Sequence, residues 1–145
     1  MRGTPEGIRG DHMQLEGRAA IVTGGAGGLG AATVRHLVDL GVGVAVFDRD
    51  GTRAKELAVE LGERAVAVGG DVTDDDDVAA AIAAAEGLGA LSIVVNVAGG
   101  ATIAGRTVGR DGTPHDKQGF IDTMSMNAVG TFNVTRLAAA AMAAR

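Results

Sequence analysis

One run of residues limits what this chain can fold into more than any other: Thr23-Gly24-Gly25-Ala26-Gly27-Gly28-Leu29-Gly30, set between a short β-branched stretch and a longer Ala/Leu-rich one. It satisfies G-x-G-x-x-G at Gly25, Gly27 and Gly30, and also T-G-x-x-x-G-x-G at Thr23, Gly24, Gly28 and Gly30. A tight turn from strand to helix demands positive φ, which glycine adopts without steric cost, and a Cβ would hold a diphosphate away from the backbone. The diphosphate then rests on free N–H groups at a helix N-terminus, where the helix dipole favours negative charge. Glycine is abundant here, 24 residues in all, so a flexible turn without a ligand is the competing reading. The flanking strand and helix favour phosphate binding.

The rest of the chain repeats that alternation of short β-branched runs and longer helical ones, the mark of βαβ units around a parallel sheet. Residues 19–23 read as a strand buried on both faces. Residues 28–40 follow as a helix with Leu29, Val34, Leu37 and Val38 on its inner side and Gly41 as its cap. Strand 42–48 and helix 52–61, strand 64–69 and helix 74–86, and strand 91–97 complete four strands. Right-handed crossovers then give the order 3-2-1-4, a Rossmann-like doubly wound α/β fold. In that order strand 4 is an edge with unpaired backbone groups, an association hazard. Residues 99–114 read as a Gly-rich loop over the carboxyl end of the sheet, basic at Arg106 and Arg110. Residues 115–145 read as one long helical stretch in which Asn127 and Gly130 produce a kink.

Asp48 ends the second strand. A carboxylate there, about 20 residues beyond the glycine loop, accepts hydrogen bonds from the adenosine ribose and repels a 2′-phosphate, selecting NAD over NADP. The competing readings are a solvated turn aspartate and an adjacent Arg49 that pairs a 2′-phosphate. Asp71-Val72 ends the third strand, where a carboxylate can accept from the adenine amino group while a backbone N–H meets a ring nitrogen. A helix N-cap is the alternative there, a role Thr73 and Asp74 could also fill. The run of acidic residues at 74–77 is no metal site: four consecutive carboxylates splay around a first helical turn and complement its dipole.

Composition narrows the partners. A formal charge of −5 argues against nucleic acid, which calls for a basic face. With three Phe and no Trp or Tyr there is no aromatic platform for stacking bases. There is no cysteine, hence no disulfide framework. No apolar run approaches the roughly 18 residues that span a bilayer, and no secretory signal is visible. A cytoplasmic location is the expectation. Residues 1–12 read as expression-vector sequence, His12-Met13 being what a common cloning site encodes, and 13–145 as the native part.

Taken together, Thr23–Gly30, Asp48, Asp71-Val72, Asn96-Val97-Ala98-Gly99 and Asn127 within Met126-Asn127-Ala128-Val129-Gly130-Thr131-Phe132 resemble the short-chain dehydrogenase/reductase family. Within it, Gly112-Thr113-Pro114-His115 and the run from Gly130 to Leu137 are similar to the type 2 3-hydroxyacyl-CoA dehydrogenase branch. The resemblance implies that Gly24, Gly27, Gly28, Leu29 and Gly30 meet the phosphates of NAD, Asp48 the ribose, and Asp71 and Val72 the adenine. It implies that Asn96, Val97, Ala98 and Gly99 line the ribose side, Asn96 also steadying the sheet. Val97 stands where the family usually has a second Asn. Asn127 matches the catalytic Asn, which bends its helix and holds a water in a proton relay; the plain alternative is an amide satisfied by backbone.

The family's other catalytic members, a Ser and then a Tyr and Lys four residues apart, have no counterpart. The chain contains no Tyr, and Lys55, Lys117, Ser92 and Ser125 sit elsewhere. The resemblance thus implies a truncated domain with strands 1–4 present and strands 5–7 absent, inactive by itself. The parent protein is expected to interconvert a secondary alcohol and a ketone, with a 3-hydroxyacyl-CoA as leading substrate, no metal, and a homo-oligomer built through the 115–145 helix. A non-catalytic nucleotide-binding half-domain and an assembly module are the alternatives.

Overall fold

The computed structural model describes residues 14–145, so the expected boundary at residues 12 and 13 lies outside the described part. The chain alternates β1 (Arg18–Thr23), α1 (Gly28–Asp39), β2 (Gly43–Asp48), α2 (Gly51–Leu61), β3 (Ala65–Gly69), α3 (Asp75–Glu86) and β4 (Ala90–Asn96), then α4 (Lys117–Met124) and α5 (Gly130–Ala143). All strands are parallel, in the order β3-β2-β1-β4. This is the doubly wound, Rossmann-like arrangement expected from the alternation.

Parallel sheets are covered on both faces, so their central strands read as unbroken apolar runs rather than alternating ones. β1 and β2 behave this way. Ala19, Ile21, Ala45 and Phe47 point to a core completed by Val78, Ala81 and Ala85 of α3 and by Val134 and Ala138 of α5. Ala20, Val22, Val44 and Val46 point oppositely, to Val34 and Val38 of α1 and to Ala54 and Leu57 of α2. Each fully buried Val or Ile side chain contributes about 1.5–3 kcal/mol of transfer free energy. The two outer strands, β3 and β4, are only half-buried over most of their length.

Register brings the functional ends together. Thr23 lies opposite Phe47 on one side and Asn96 on the other, and Asp48 lies opposite Gly69. The carboxyl ends of all four strands therefore open onto one edge of the sheet, where α/β folds place their ligands.

One local expectation is corrected. Leu29 does not join Val34 and Val38 in the core but is 73% exposed. The buried stripe of α1 is Gly30, Val34 and Val38, and Leu29, one residue before Gly30, sits about 100° around the helix from it. The 115–145 stretch is helical without a break from Lys117 to Ala143, with the expected irregularity at Asn127 and Gly130. A π turn at Ser125–Val129 lies between α4 and α5 and contains Asn127, while Gly130 opens α5. The 99–114 segment is the expected loop, closed by an antiparallel bridge between Val108 and Pro114. It is pinned to α4 by Thr102, whose Oγ1 donates to the Gly119 carbonyl at 2.9 Å. Among the described residues, no helix is long and apolar enough to cross a membrane.

Candidate functional site

A cavity of about 340 Å³ opens at the carboxyl end of the sheet. Its walls are Gly24, Gly27, Gly28, Leu29 and Gly30 of the glycine loop, Phe47, Asp48 and Arg49 after β2, Gly70, Asp71 and Val72 after β3, Val97, Ala98 and Gly99 after β4, and Met126 of the π turn. The structure thus unites every sequence-predicted cofactor residue except Asn96. That side chain turns toward α5 and donates to Thr135 Oγ1 at 3.3 Å. Asn127 also lies outside the lining, one residue beyond Met126.

The loop glycines divide by the reason for their size. Gly24 has φ +61°, and a Cβ there would stand 2.8 Å from the Ala98 nitrogen. A Cβ on Gly25 would stand 2.8 Å from the Val22 carbonyl, and one on Gly30 would strike the Gly24 carbonyl. These three let β1, β4 and α1 converge. Gly28 is different, with nothing within 4 Å of its would-be Cβ. Protein packing does not require a glycine there, and Gly28 is one of the residues lining the cavity.

The start of α1 is equally distinctive. Asp50, Asp74 and Asp116 cap α2, α3 and α4 with their carboxylates. α1 has Gly27 at its N-cap, no side-chain cap and no acidic residue in its first turn. Its leading N–H groups and the positive end of its dipole are left for something that enters the cavity.

Neighbouring side chains fix this loop from both sides. Asp48 Oδ2 accepts from the Ala26 N–H at 2.9 Å, and its Oδ1 accepts from the Asp50 N–H at 2.9 Å. Thr23 is buried at the tip of β1, where its Oγ1 accepts from both the Val97 and Ala98 N–H groups at 3.1 Å. Reading the sequence credited Thr23 with no separate task. Its place immediately before the first glycine is the signal that could have revealed one.

On the β3 side, Asp71 Oδ1 accepts from the Thr73 N–H at 2.9 Å and from its hydroxyl at 2.7 Å. Chiefly the Thr73 N–H, then its hydroxyl, hold the Asp71 carboxyl below its ordinary pKa against a modest desolvation, with the Arg49 charge adding to the effect. Asp71 therefore stays an anion and acceptor at neutral pH. The acidic run splays: Asp74 caps α3, Asp75 pairs with Arg136, and Asp77 accepts from the Asp71 N–H at 2.8 Å. No group of three or more metal-ligating side chains exists among the described residues. Across the mouth, Arg49 Nη2 lies 3.4 Å from Met126 Sδ.

The Asn127 amide is fully engaged by backbone. Its Nδ2 donates to the carbonyls of Gly100 (2.6 Å) and Thr123 (2.7 Å), and its Oδ1 accepts from the Gly100 N–H at 3.0 Å. Gly99 must be small for this approach, because a Cβ would stand 2.6 Å from Asn127 Oδ1. The π turn and the strand-4 loop are thereby one unit.

The family model described as short chain dehydrogenase matches residues 18–145. Similar proteins include 3-hydroxyacyl-CoA dehydrogenase type-2 of Drosophila melanogaster, 39% identical over 131 residues, which are 90% of this chain and 51% of that protein. The Homo sapiens protein of the same name is 38% identical over 130 residues, covering 88% and 49%. The crystal structure of 3-hydroxyacyl-CoA dehydrogenase type-2 from Mycobacterium avium superposes with a TM-score of 0.87 at 51% identity, covering 91% of this chain and 51% of that one. A 3-ketoacyl-(acyl-carrier-protein) reductase from Brucella melitensis complexed with NADH gives 0.73 at 30% identity, covering 84% and 48%. The chain belongs to the short chain dehydrogenase family, and the expected similarity to the 3-hydroxyacyl-CoA dehydrogenase type-2 branch holds. It spans about half the length of these relatives.

Proposed function

We propose that this chain is the dinucleotide-binding part of an NAD-dependent oxidoreductase that interconverts a secondary alcohol and a ketone, with a 3-hydroxyacyl-CoA as substrate class. The observation that carries the reading is the uncapped α1 beside Gly28, an N-terminus and an open space that packing leaves unused. The residues fit the cofactor. Gly27, Gly28 and Leu29 would hold the diphosphate, Asp48 the adenosine ribose, and Asp71 with Val72 the adenine. Val97, Ala98 and Gly99 would line the remaining length. When bound, the nicotinamide ring accepts or returns a hydride. The relatives' names support the acyl-CoA substrate.

Asn127 acts in this reading by fixing the loop at Gly99 and Gly100 beside the reacting end. With no Tyr in the chain to serve as acid and base, the 145-residue protein binds the dinucleotide without turning it over. Any hydride transfer by purified chain would contradict this. Phe120, Ile121, Met124 and Phe132 are exposed along α4 and α5, which supports assembly with a second copy through this region.

Asp48→Ala tests the coenzyme preference. Its carboxylate already accepts from Ala26 and Asp50, and its remaining lone pairs suit ribose hydroxyls while its charge opposes a 2′-phosphate. Calorimetric titration is expected to show NAD affinity falling about tenfold and NADP affinity rising. An unchanged preference would refute the assignment.

A further inference from the structure

Thr23 and Asn133 are the buried polar side chains among the described residues. Thr23 serves the β4 side of the cavity. Asn133, on α5, serves the opposite side, and it does so from behind the wall. Its Nδ2 donates to the Val72 carbonyl at 3.0 Å, and its Oδ1 accepts from Arg136 Nε at 2.9 Å. Arg136 Nη2 then meets both carboxylate oxygens of Asp75 at 2.6 Å, in the first turn of α3. Three side chains thus run from the Val72 peptide through α5 to the helix that follows the Asp71–Thr73 bend.

Gly130 completes the contact, since a Cβ there would strike Val72 Cγ2. α5 therefore meets Val72 at backbone distance, and Asn133 follows on its next turn. Core packing alone would be served by an apolar side chain at position 133, beside buried Val134. A buried amide with fixed partners on both of its atoms instead holds one peptide in one orientation.

We propose that Asn133, held by Arg136 and Asp75, is a positioning residue: it fixes the Val72–Thr73 peptide, whose N–H donates to Asp71 Oδ1, and so holds the Asp71 carboxylate for adenine recognition, with the result that α5 governs affinity for the base rather than for the phosphates. This rests on the reading that Asp71 and Val72 receive adenine.

The test compares NAD with nicotinamide hypoxanthine dinucleotide, in which an oxo group replaces the adenine amino group. Calorimetric titration of the unaltered protein is expected to favour NAD. Asn133→Asp keeps the size and the Arg136 contact but removes the donor to Val72. NAD affinity should fall about tenfold, or ~1.4 kcal/mol, while affinity for the hypoxanthine dinucleotide changes less than about twofold, so the preference collapses. Arg136→Gln, at a half-exposed position, should do the same at about threefold.

A merely structural loss would weaken both dinucleotides alike and leave their ratio intact. That result in both variants would overturn the positioning role. Should Asn133→Asp fail to fold, Arg136→Gln decides alone. Binding of neither dinucleotide by the unaltered protein would overturn the nucleotide reading itself. Equal binding of both would remove the adenine assignment and this inference with it.

Discussion

The glycine loop and the α4–α5 region flank the same cleft and are specified in opposite ways. In the loop, each glycine that packing demands has a named backbone neighbour: Ala98 for Gly24, Val22 for Gly25, the Gly24 carbonyl for Gly30. In α4 and α5 the apolar residues recur at helical spacing, yet Phe120 and Phe132 are 60% and 66% exposed. Gly25 and Gly30 carry their partners within a few residues, and only Gly24 reaches across the sheet, to Ala98. An apolar stripe says only that a surface is to be covered, and leaves open by what.

That contrast is most easily broken inside the loop itself. Gly30→Ala drives a methyl into the Gly24 carbonyl and should cost about 3 kcal/mol, the upper range for overpacking, in denaturant unfolding. Gly28→Ala adds the same methyl to open space, so stability should change by less than about 1 kcal/mol. NAD affinity should nevertheless fall about tenfold in calorimetry. Equal destabilisation by the two substitutions would end the division between packing glycines and ligand-facing ones.

On the other side of the comparison, Phe132→Glu places a charge on an exposed aromatic position of α5. Unfolding free energy of the monomer should move by no more than about 0.5 kcal/mol, as for surface substitutions generally. Sedimentation should shift toward smaller species if a second copy covers this face. An unchanged distribution would mean that the stripe is covered by something else.

These differences explain what could be read in advance. Strand order and the glycine loop were legible because period and spacing are local signals. Asp48 was legible because strand registry carries the end of β2 to the cavity edge. The partners of Thr23 were not, since Val97 lies 74 positions away. Asn133 was hidden for the same reason, with Val72 61 positions upstream. Leu29 was misplaced because the buried face runs Gly30, Val34, Val38 at four-residue spacing, and the small Gly30 hid that face in the sequence. The irregularity at Asn127 was legible, but not that it is a π turn, because an Asn within an apolar helical stretch can be satisfied by ordinary helical backbone. Only the Gly100 peptide, brought in by β4, gives its amide two-sided pairing.

The smallest expected effect separates charge from hydrogen bonding at the adenine side. The folded pKa of Asp71 lies below its ordinary value, chiefly through the Thr73 N–H and hydroxyl. Stabilisation from this group is therefore complete above the unfolded value of about 3.9 and is lost as pH falls through the lower folded value. Thr73→Ala removes the hydroxyl donor but keeps the N–H, so the folded pKa rises only part of the way. At neutral pH the variant should be less stable by about 0.5 kcal/mol, the low end for a partly exposed hydrogen bond. As acid protonates Asp71 in both proteins, the anion that the hydroxyl served disappears, and the two stability curves should converge below about pH 4. A gap that persisted undiminished into acid would show that Thr73 stabilises the bend without regard to the Asp71 charge. Asp71 would then owe its acceptor character to the backbone N–H alone.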